Sequence, residues 1–350
     1  MDKILSVIIP TYNMEKYLHR CLESLIVNNG FESLEVLVIN DGSKDSSSII
    51  AHSYESRYPN VFRVIDKGNG NYGSCINRGL KEATGKYVKI LDADDNFNTA
   101  NLESFLSAIQ TIDADLIISD YVKVSEDENI LEECSYRFSK YGIMSFESIC
   151  TSNDFLKTQM HAVTYRRKML LDMNYVQTEG ISYTDQQWIF APMLKVKTVW
   201  HFSKPVYRYL IGRAGQTINE SSAIKYAKNM IPCLRDMLKF YSDNSSAISK
   251  PLETYYLQAI LIPITKGIYI DLILDYSDIA KNLLIQFDND LKIWNNKLYT
   301  LIGSKEVSSF LGFRHIQFWR QHQNANKKLY KIFGNIYLSL IKLRKAFNVK

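Results

Sequence analysis

With 350 residues, 46 % of them hydrophobic and 12 % aromatic, the chain can bury a sizeable core and is expected to form two lobes, which excludes a disordered or low-complexity polymer. Its net charge of +5 is the small difference between 42 basic and 37 acidic residues. Five scattered cysteines (Cys21, Cys75, Cys134, Cys150 and Cys233) form no CxxC pair, which excludes a disulfide scaffold and points to reduced thiols in a cytoplasmic setting.

The N-terminus runs at once into a short apolar, β-branched strand, residues 6–10, and leaves no room for a signal peptide. Thr11-Tyr12-Asn13 follows that strand. A second strand, 35–39, ends in Asn40-Asp41-Gly42-Ser43, and a third, 61–66, runs into a segment containing Gly68, Gly70 and Gly73. Residues 17–26, 46–58 and 74–83 show helical spacing. Strands alternating with helices at these lengths predict parallel βαβ units with right-handed crossovers. All the strand ends then lie on one edge of the sheet, where doubly wound folds bind ligands. Asp41 can accept from a base N–H, Pro10 and Thr11 can frame the base, and Asp45 suits a helix cap. The three glycines allow positive φ and close backbone approach. The first βα turn has no glycine and no Gly-Lys-Ser/Thr triplet occurs, which weakens both the dinucleotide-binding and the P-loop readings.

A fourth strand, 86–91, leads into Asp92-Ala93-Asp94-Asp95. Three carboxylates within four residues repel one another unless a cation shares the site. Hard oxygen donors suit Mg²⁺ or Mn²⁺, which keep positions open for substrate phosphates. An isolated Asp-x-Asp reads more simply as a polar turn, so it is the three other strand ends that favour the metal reading.

These four motifs, in this order over the first hundred residues, resemble the family 2 glycosyltransferases. The residues that carry the likeness are Ser6–Asn13, Val38–Asp45, Asn69–Leu80, Ala83–Val88 and Leu91–Asp95. The resemblance implies a GT-A nucleotide-sugar-binding α/β fold, a mixed sheet flanked by helices. It implies a nucleotide-sugar donor, usually UDP-linked, contacted by Pro10, Thr11, Tyr12, Asn13, Asp41, Gly73, Asn77, Asp92 and Ala93. Asp41 would meet the base, Asp92 would lie by the ribose, and Asp94 would hold the metal, Mn²⁺ or Mg²⁺, at the pyrophosphate. Ile76 stands where many relatives carry Arg.

Downstream, Thr184-Asp185 precedes an apolar run from Ile189 to Leu194 that is expected to be helical. The resemblance makes Asp185 the general base of an inverting transfer, since one carboxylate suffices to take the acceptor proton. A helix cap is the plainer role for Asp185, and the two are compatible. Arg213, between Gly212 and Gly215 after a Tyr-x-Tyr strand, suits a pyrophosphate contact or equally a solvated loop position. His161 and His201 read as structural or acceptor-side residues.

A second, mainly helical lobe is expected over 218–350 after a catalytic domain at 1–217, with helices over 223–241, 252–274 and 277–287 and starts, stops or kinks at Pro232, Pro251 and Pro263. No apolar run approaches the roughly twenty residues that span a bilayer, and no Gln-x-x-Arg-Trp motif occurs, which argues against a processive synthase. After Glu306 the chain has nine basic and no acidic residues, leaving 33 basic against 37 acidic upstream. Leu329, Ile332, Phe333, Ile336, Leu340, Leu343 and Phe347 form one apolar stripe. Such a helix over 327–350 suits peripheral contact with an anionic membrane, or ordinary packing on the lobe. The motifs leave no role for nucleic acid. The expected acceptor is a cell-surface glycan or lipid-linked oligosaccharide. The competing reading is a catalytically silent nucleotide-sugar-binding protein.

Overall fold

The computed structural model describes residues 2–138, 141–213, 223–275, 277–310 and 313–323. The segment 327–350, with its expected amphipathic helix, lies outside the described residues. The chain divides into two compact units. The first is Met1–Asn219 together with Ser246–Tyr256, and the second is Glu220–Ser245 together with Leu257–Lys350.

The first unit is built on a ten-stranded mixed sheet. Its strands are β1 (Leu5–Thr11), β2 (Leu34–Asn40), β3 (Phe62–Asp66), β4 (Tyr87–Ile90), β5 (Asn96–Phe97), β6 (Leu116–Val124), β7 (Ile130–Cys134), β8 (Ile143–Ser145), β9 (Val163–Arg166) and β10 (Thr198–Leu210). The main path runs β3-β2-β1-β4-β9-β6-β10-β5, with β7 on β6 and β8 on β10. Parallel pairing holds β1, β2, β3 and β4 together, whereas β9 runs antiparallel to both β4 and β6. Val7, Ile8, Ile9, Val36, Leu37, Val38 and Ile39 are all fully buried, as expected of parallel strands covered on both faces.

Helices α1 (Glu15–Glu23), α2 (Ser47–Arg57), α3 (Asn71–Glu82) and α4 (Thr99–Ile109) link these strands. Asp45 ties the starts of two of them, accepting from the Ser47 N–H at 3.0 Å and the Glu15 N–H at 3.0 Å. Helix α3 begins three residues before its predicted start, because Asp41 captures the Gly70 and Asn71 N–H groups and anchors the first turn. Neither Gly68, Gly70 nor Gly73 takes positive φ; Asn71 does, at +64°. Gly73 is needed for room instead, since a Cβ there would lie 2.1 Å from the Thr178 carbonyl oxygen.

The chain leaves β1 toward β2 and β3 on one side and returns through β4 on the other. Pairing of β1 with β4 ends at Ile8–Ile90, so beyond Ile8 the two strand ends part. That split is the switch point at which such sheets open a crevice.

The second unit is helical where described, with Ala223–Asp243, Ile262–Asp275, Asp278–Trp294 and Asn296–Ile302 as its longer helices. Pro232 sits inside the first, and Pro251 lies in the first turn of Lys250–Tyr255. Ahead of Pro263 the helix widens into a π-helical stretch, Tyr256–Leu261. Proline offers no N–H and crowds the carbonyl one turn back, so the local hydrogen-bond register shifts. The helical run Lys250–Asp275 is not an uninterrupted apolar run, yet it meets the length and composition of a membrane span. At 26 residues it is long and apolar enough by length and composition, with 39 % of its most apolar stretch buried. Lys266 interrupts the apolar run, which is why a search for uninterrupted apolar sequence passes over it. Core helices of soluble proteins meet the same criterion.

Candidate active site

The split between β1 and β4 opens into a cavity of about 330 Å³. Nine sequence-predicted residues line it: Pro10, Thr11, Tyr12, Asp41, Asp92, Ala93, Asp94, Asp185 and Arg213. They come from five separate chain segments, brought together by strand order. Asn13, Gly73 and Asn77 do not line it. Asn13 bridges to the β2 turn through its Oδ1, which accepts the Lys44 N–H at 2.8 Å. Asn77 clamps the segment before Asp185. Its Nδ2 donates to the Gln177 carbonyl at 2.9 Å and to Glu179 Oε1 at 2.8 Å, and its Oδ1 accepts the Gln177 N–H at 2.8 Å.

Asp41 is only 3 % exposed. Its Oδ1 takes Lys67 Nζ and the Gly70 N–H at 2.9 Å, while Oδ2 takes the Asn71 N–H at 2.9 Å. Lys67 also donates to Ser74 Oγ at 2.8 Å. Sequence reasoning passed over Lys67; its place directly after β3, opposite Asp41, was its only signal. The carboxylate therefore braces the loop that forms the cavity wall.

The three clustered carboxylates separate into different roles. Asp95 is buried, and both its oxygens are committed: Oδ2 to the Tyr207 hydroxyl at 2.6 Å and Oδ1 to the Leu210 N–H at 2.7 Å. It ties the end of β4 to the end of β10, and burial pushes its pKa well up. Asp92 accepts from the Tyr72 hydroxyl at 2.8 Å. Burial and the Asp94 carboxylate push Asp92 up to about 7. Asp94 receives Arg213 Nε at 2.5 Å on Oδ2. The Arg213 guanidinium also lies 5.3 Å from the centre of the Tyr17 ring.

His161 lines the same cavity, stacked on Tyr209 with centroids 4.1 Å apart. Its Nδ1 is buried without a partner, and burial together with nearby Lys89 pulls its pKa down to about 3. Lys89, fully buried on β4, donates to the His161 carbonyl at 2.7 Å and so holds that wall in place. A lysine inside an apolar strand was the legible clue to this contact. His201 lies apart from the cavity lining, paired with Asp120 at 2.9 Å.

Among the described residues, Asp92, Asp95 and His161 offer ligand atoms within 4.8 Å of one another. Asp94, the expected ligand, falls outside that trio. Asp95 does not line the cavity, so the clustered carboxylates open to it are those of Asp92 and Asp94. Their hard oxygens, and the mutual repulsion that raises Asp92, fit a Mg²⁺ or Mn²⁺ ion.

Asp185 opens the helical turn Asp185–Trp188, while the predicted helix over 189–194 is a 3₁₀ turn, Ala191–Leu194, with Pro192 near its start. Trp188 is fully buried; its ring packs 5.0 Å from Tyr165, whose hydroxyl donates to the Trp188 carbonyl at 2.8 Å. That anchor on β9 sets Asp185 at the cavity edge. Burial raises its pKa, against a 3.1 Å hydrogen bond from Gln186 that works the other way.

Comparison with known proteins agrees with this geometry. Residues 6–170 match the model of glycosyl transferase family 2. The chain is 30 % identical over 218 residues to the glycosyltransferase YibD of Escherichia coli K12, covering 59 % of this chain and 61 % of that protein. It is 42 % identical over 103 residues to the minor teichoic acid biosynthesis protein GgaB of Bacillus subtilis 168, covering 29 % of this chain and 11 % of that protein. The chain thus spans less than two thirds of either relative. The crystal structure of S. aureus TarS 1-349 in complex with UDP-GlcNAc superposes with a TM-score of 0.67 at 19 % identity, over 96 % of this chain and 92 % of that one. Motif order, family match and fold agree: through residues 6–170 the chain belongs to the family 2 glycosyltransferases, on a GT-A fold with a helical C-terminal region.

Proposed function

We propose that the chain is an inverting glycosyltransferase that moves one hexosyl group from a UDP-linked donor to a hydroxyl of a cell-surface glycan or lipid-linked oligosaccharide, with Asp185 as general base. The reading rests above all on one observation: Asp185 opens into the same cavity as Asp92, Asp94 and Asp41. The nucleoside end lies against Pro10, Thr11 and Tyr12, with the Asp41 carboxylate in the same lining as acceptor for a base N–H. Asp92 and Asp94 would hold a Mn²⁺ or Mg²⁺ ion, which when bound would supply charge neutralisation for the departing nucleoside diphosphate. Arg213, already at Asp94, is the protein's own cation for the same phosphates. Asp185 accepts the acceptor's proton as that oxygen attacks the anomeric carbon, and its raised pKa makes it a stronger base than a solvated aspartate. GgaB's role in teichoic acid biosynthesis and the UDP-GlcNAc bound to TarS support a surface-glycan acceptor and a UDP donor. Work on the cytoplasmic face of the membrane, with 327–350 in peripheral contact, fits such an acceptor.

Asp185→Asn preserves shape and capping ability but cannot take a proton. Donor binding, measured by calorimetry, should persist while turnover falls at least about a hundredfold. Undiminished turnover would show that another group takes the proton. The alternative, a silent nucleotide-sugar-binding protein, predicts that wild type shows neither transfer nor donor hydrolysis with metal present.

A further inference from the structure

Of the five non-glycine residues with positive φ among the described residues, Asn13, Asn71, Glu128, Asn174 and Tyr183, only Tyr183 is bulky and aromatic. Asparagine visits that region readily, whereas a large side chain there is strained and persists only where its surroundings impose it. The surroundings of Tyr183 do so from both sides. On the N-terminal side, Asn77 clamps Gln177 and Glu179, and the Gly180 N–H donates to the Gly70 carbonyl at 2.9 Å. On the C-terminal side, Thr184 is fully buried, and Gln187 ties back to Thr178 through two hydrogen bonds of 2.8 Å. Between these anchors the half-buried Tyr183 side chain lines the cavity, two residues before Asp185. A glycine would adopt the same backbone without strain.

We infer that Tyr183 is the acceptor platform of the site and that it takes an uncharged sugar ring, laid with its C–H face on the phenol. This rests on the reading that chemistry occurs beside Asp185. The same cavity is lined by Tyr72, Met160, His161 and Tyr209, which give it an aromatic and apolar share. The charged residues of the cavity are Asp41, Asp92, Asp94 and Asp185 against Arg213, which is paired with Asp94. A phosphodiester on the acceptor side would face Asp185, and among the described lining residues the only cation is Arg213, already paired with Asp94, so the contact is an unfavourable like-charge one. A pyranose ring presents C–H groups to an aromatic face and leaves its hydroxyls free for Asp185.

The test uses the full chain with UDP and Mn²⁺, and as probes methyl β-glucopyranoside, methyl β-galactopyranoside, methyl N-acetyl-β-glucosaminide and glycerol 1-phosphate. Binding is read by saturation-transfer NMR on the ring protons. Wild type and Tyr183→Phe should bind at least one methyl glycoside alike. Tyr183→Gly should weaken it roughly fivefold or more, while remaining folded by circular dichroism and binding UDP unchanged. Equal glycoside binding by Tyr183→Gly, binding of glycerol 1-phosphate alone, or binding of none of the probes by wild type would overturn the inference. Loss in Tyr183→Phe as severe as in Tyr183→Gly would overturn the stacking mode in favour of a hydroxyl contact. Normal turnover by Asp185→Asn would remove the general base and leave the platform standing.

Discussion

As the proposed general base, Asp185 would leave a signature in the pH dependence of the reaction. A base must be ionised to act, so activity should be complete above its pKa and lost as pH falls through it. Burial raises that pKa, which places the acidic limb of the rate profile above the range of an ordinary aspartate, 3.8. The Gln186 side chain opposes the shift by donating to the carboxylate. Gln186→Leu should therefore move the acidic limb further up in pH, read from initial rates at saturating donor. An unmoved limb would mean that the titrating group is not Asp185. Asp94 makes a separate prediction. Asp94→Asn keeps the side-chain volume but removes the charge offered to a metal and to Arg213. Transfer should fall by two orders of magnitude or more, on the order expected for losing a charged group at a phosphate-transfer centre, and excess chelator should do the same to wild type. Circular dichroism and melting should show the variant folded; transfer that survives both treatments would rule out a metal at Asp94.

At the scale of elements, the site depends on how closely α3 approaches its neighbours. A Cβ at Gly79 would lie 2.5 Å from Ile8 Cγ2, and one at Gly73 would lie 2.1 Å from the Thr178 carbonyl. Gly79→Ala presses the helix off β1 and should cost about 1–3 kcal/mol in stability, as overpacking does, with activity retained at low temperature. Gly73→Ala presses instead on the segment carrying Thr178, which leads to Tyr183 and Asp185. Its expected mark is lost turnover exceeding any loss of melting temperature. Comparable effects of the two substitutions on turnover at matched stability would mean that the Thr178 segment has no special part in catalysis. Glycine spacing in the sequence pointed to this region but not to its purpose. Nothing local distinguishes a glycine needed for φ from one needed for clearance.

For the molecule as a whole, charge is distributed unevenly along the chain: nine basic residues follow Glu306, and upstream the acids outnumber the bases. Each Lys or Arg near an anionic surface contributes about 1 kcal/mol, an attraction that salt screens. The full chain should sediment with phosphatidylglycerol vesicles at low ionic strength and be released at high salt. Truncation before Asn326 should abolish sedimentation and leave UDP-sugar hydrolysis unchanged. A full chain that ignores vesicles at every salt concentration would confine the tail to a structural part.

The sequence by itself determined the strand–helix alternation of the first hundred residues, the four strand-end motifs and their shared edge. These are local patterns, since a period of two or 3.6 and a polar residue after an apolar run need no knowledge of distant contacts. Tertiary structure decided which member of each motif does what. Asp92, Asp94 and Asp95 look alike as sequence. Only Tyr72 from α3, Arg213 after β10, and Tyr207 and Leu210 within it distinguish them, each more than nineteen residues away along the chain. Asn77 appears in the motif as a ligand residue and in the fold as a clamp, because its partners lie a hundred residues downstream. The strained backbone at Tyr183 has no sequence signal at all. Its backbone angle is imposed by hydrogen bonds that exist only once α3, the 177–180 segment and the turn at Asp185 have packed together.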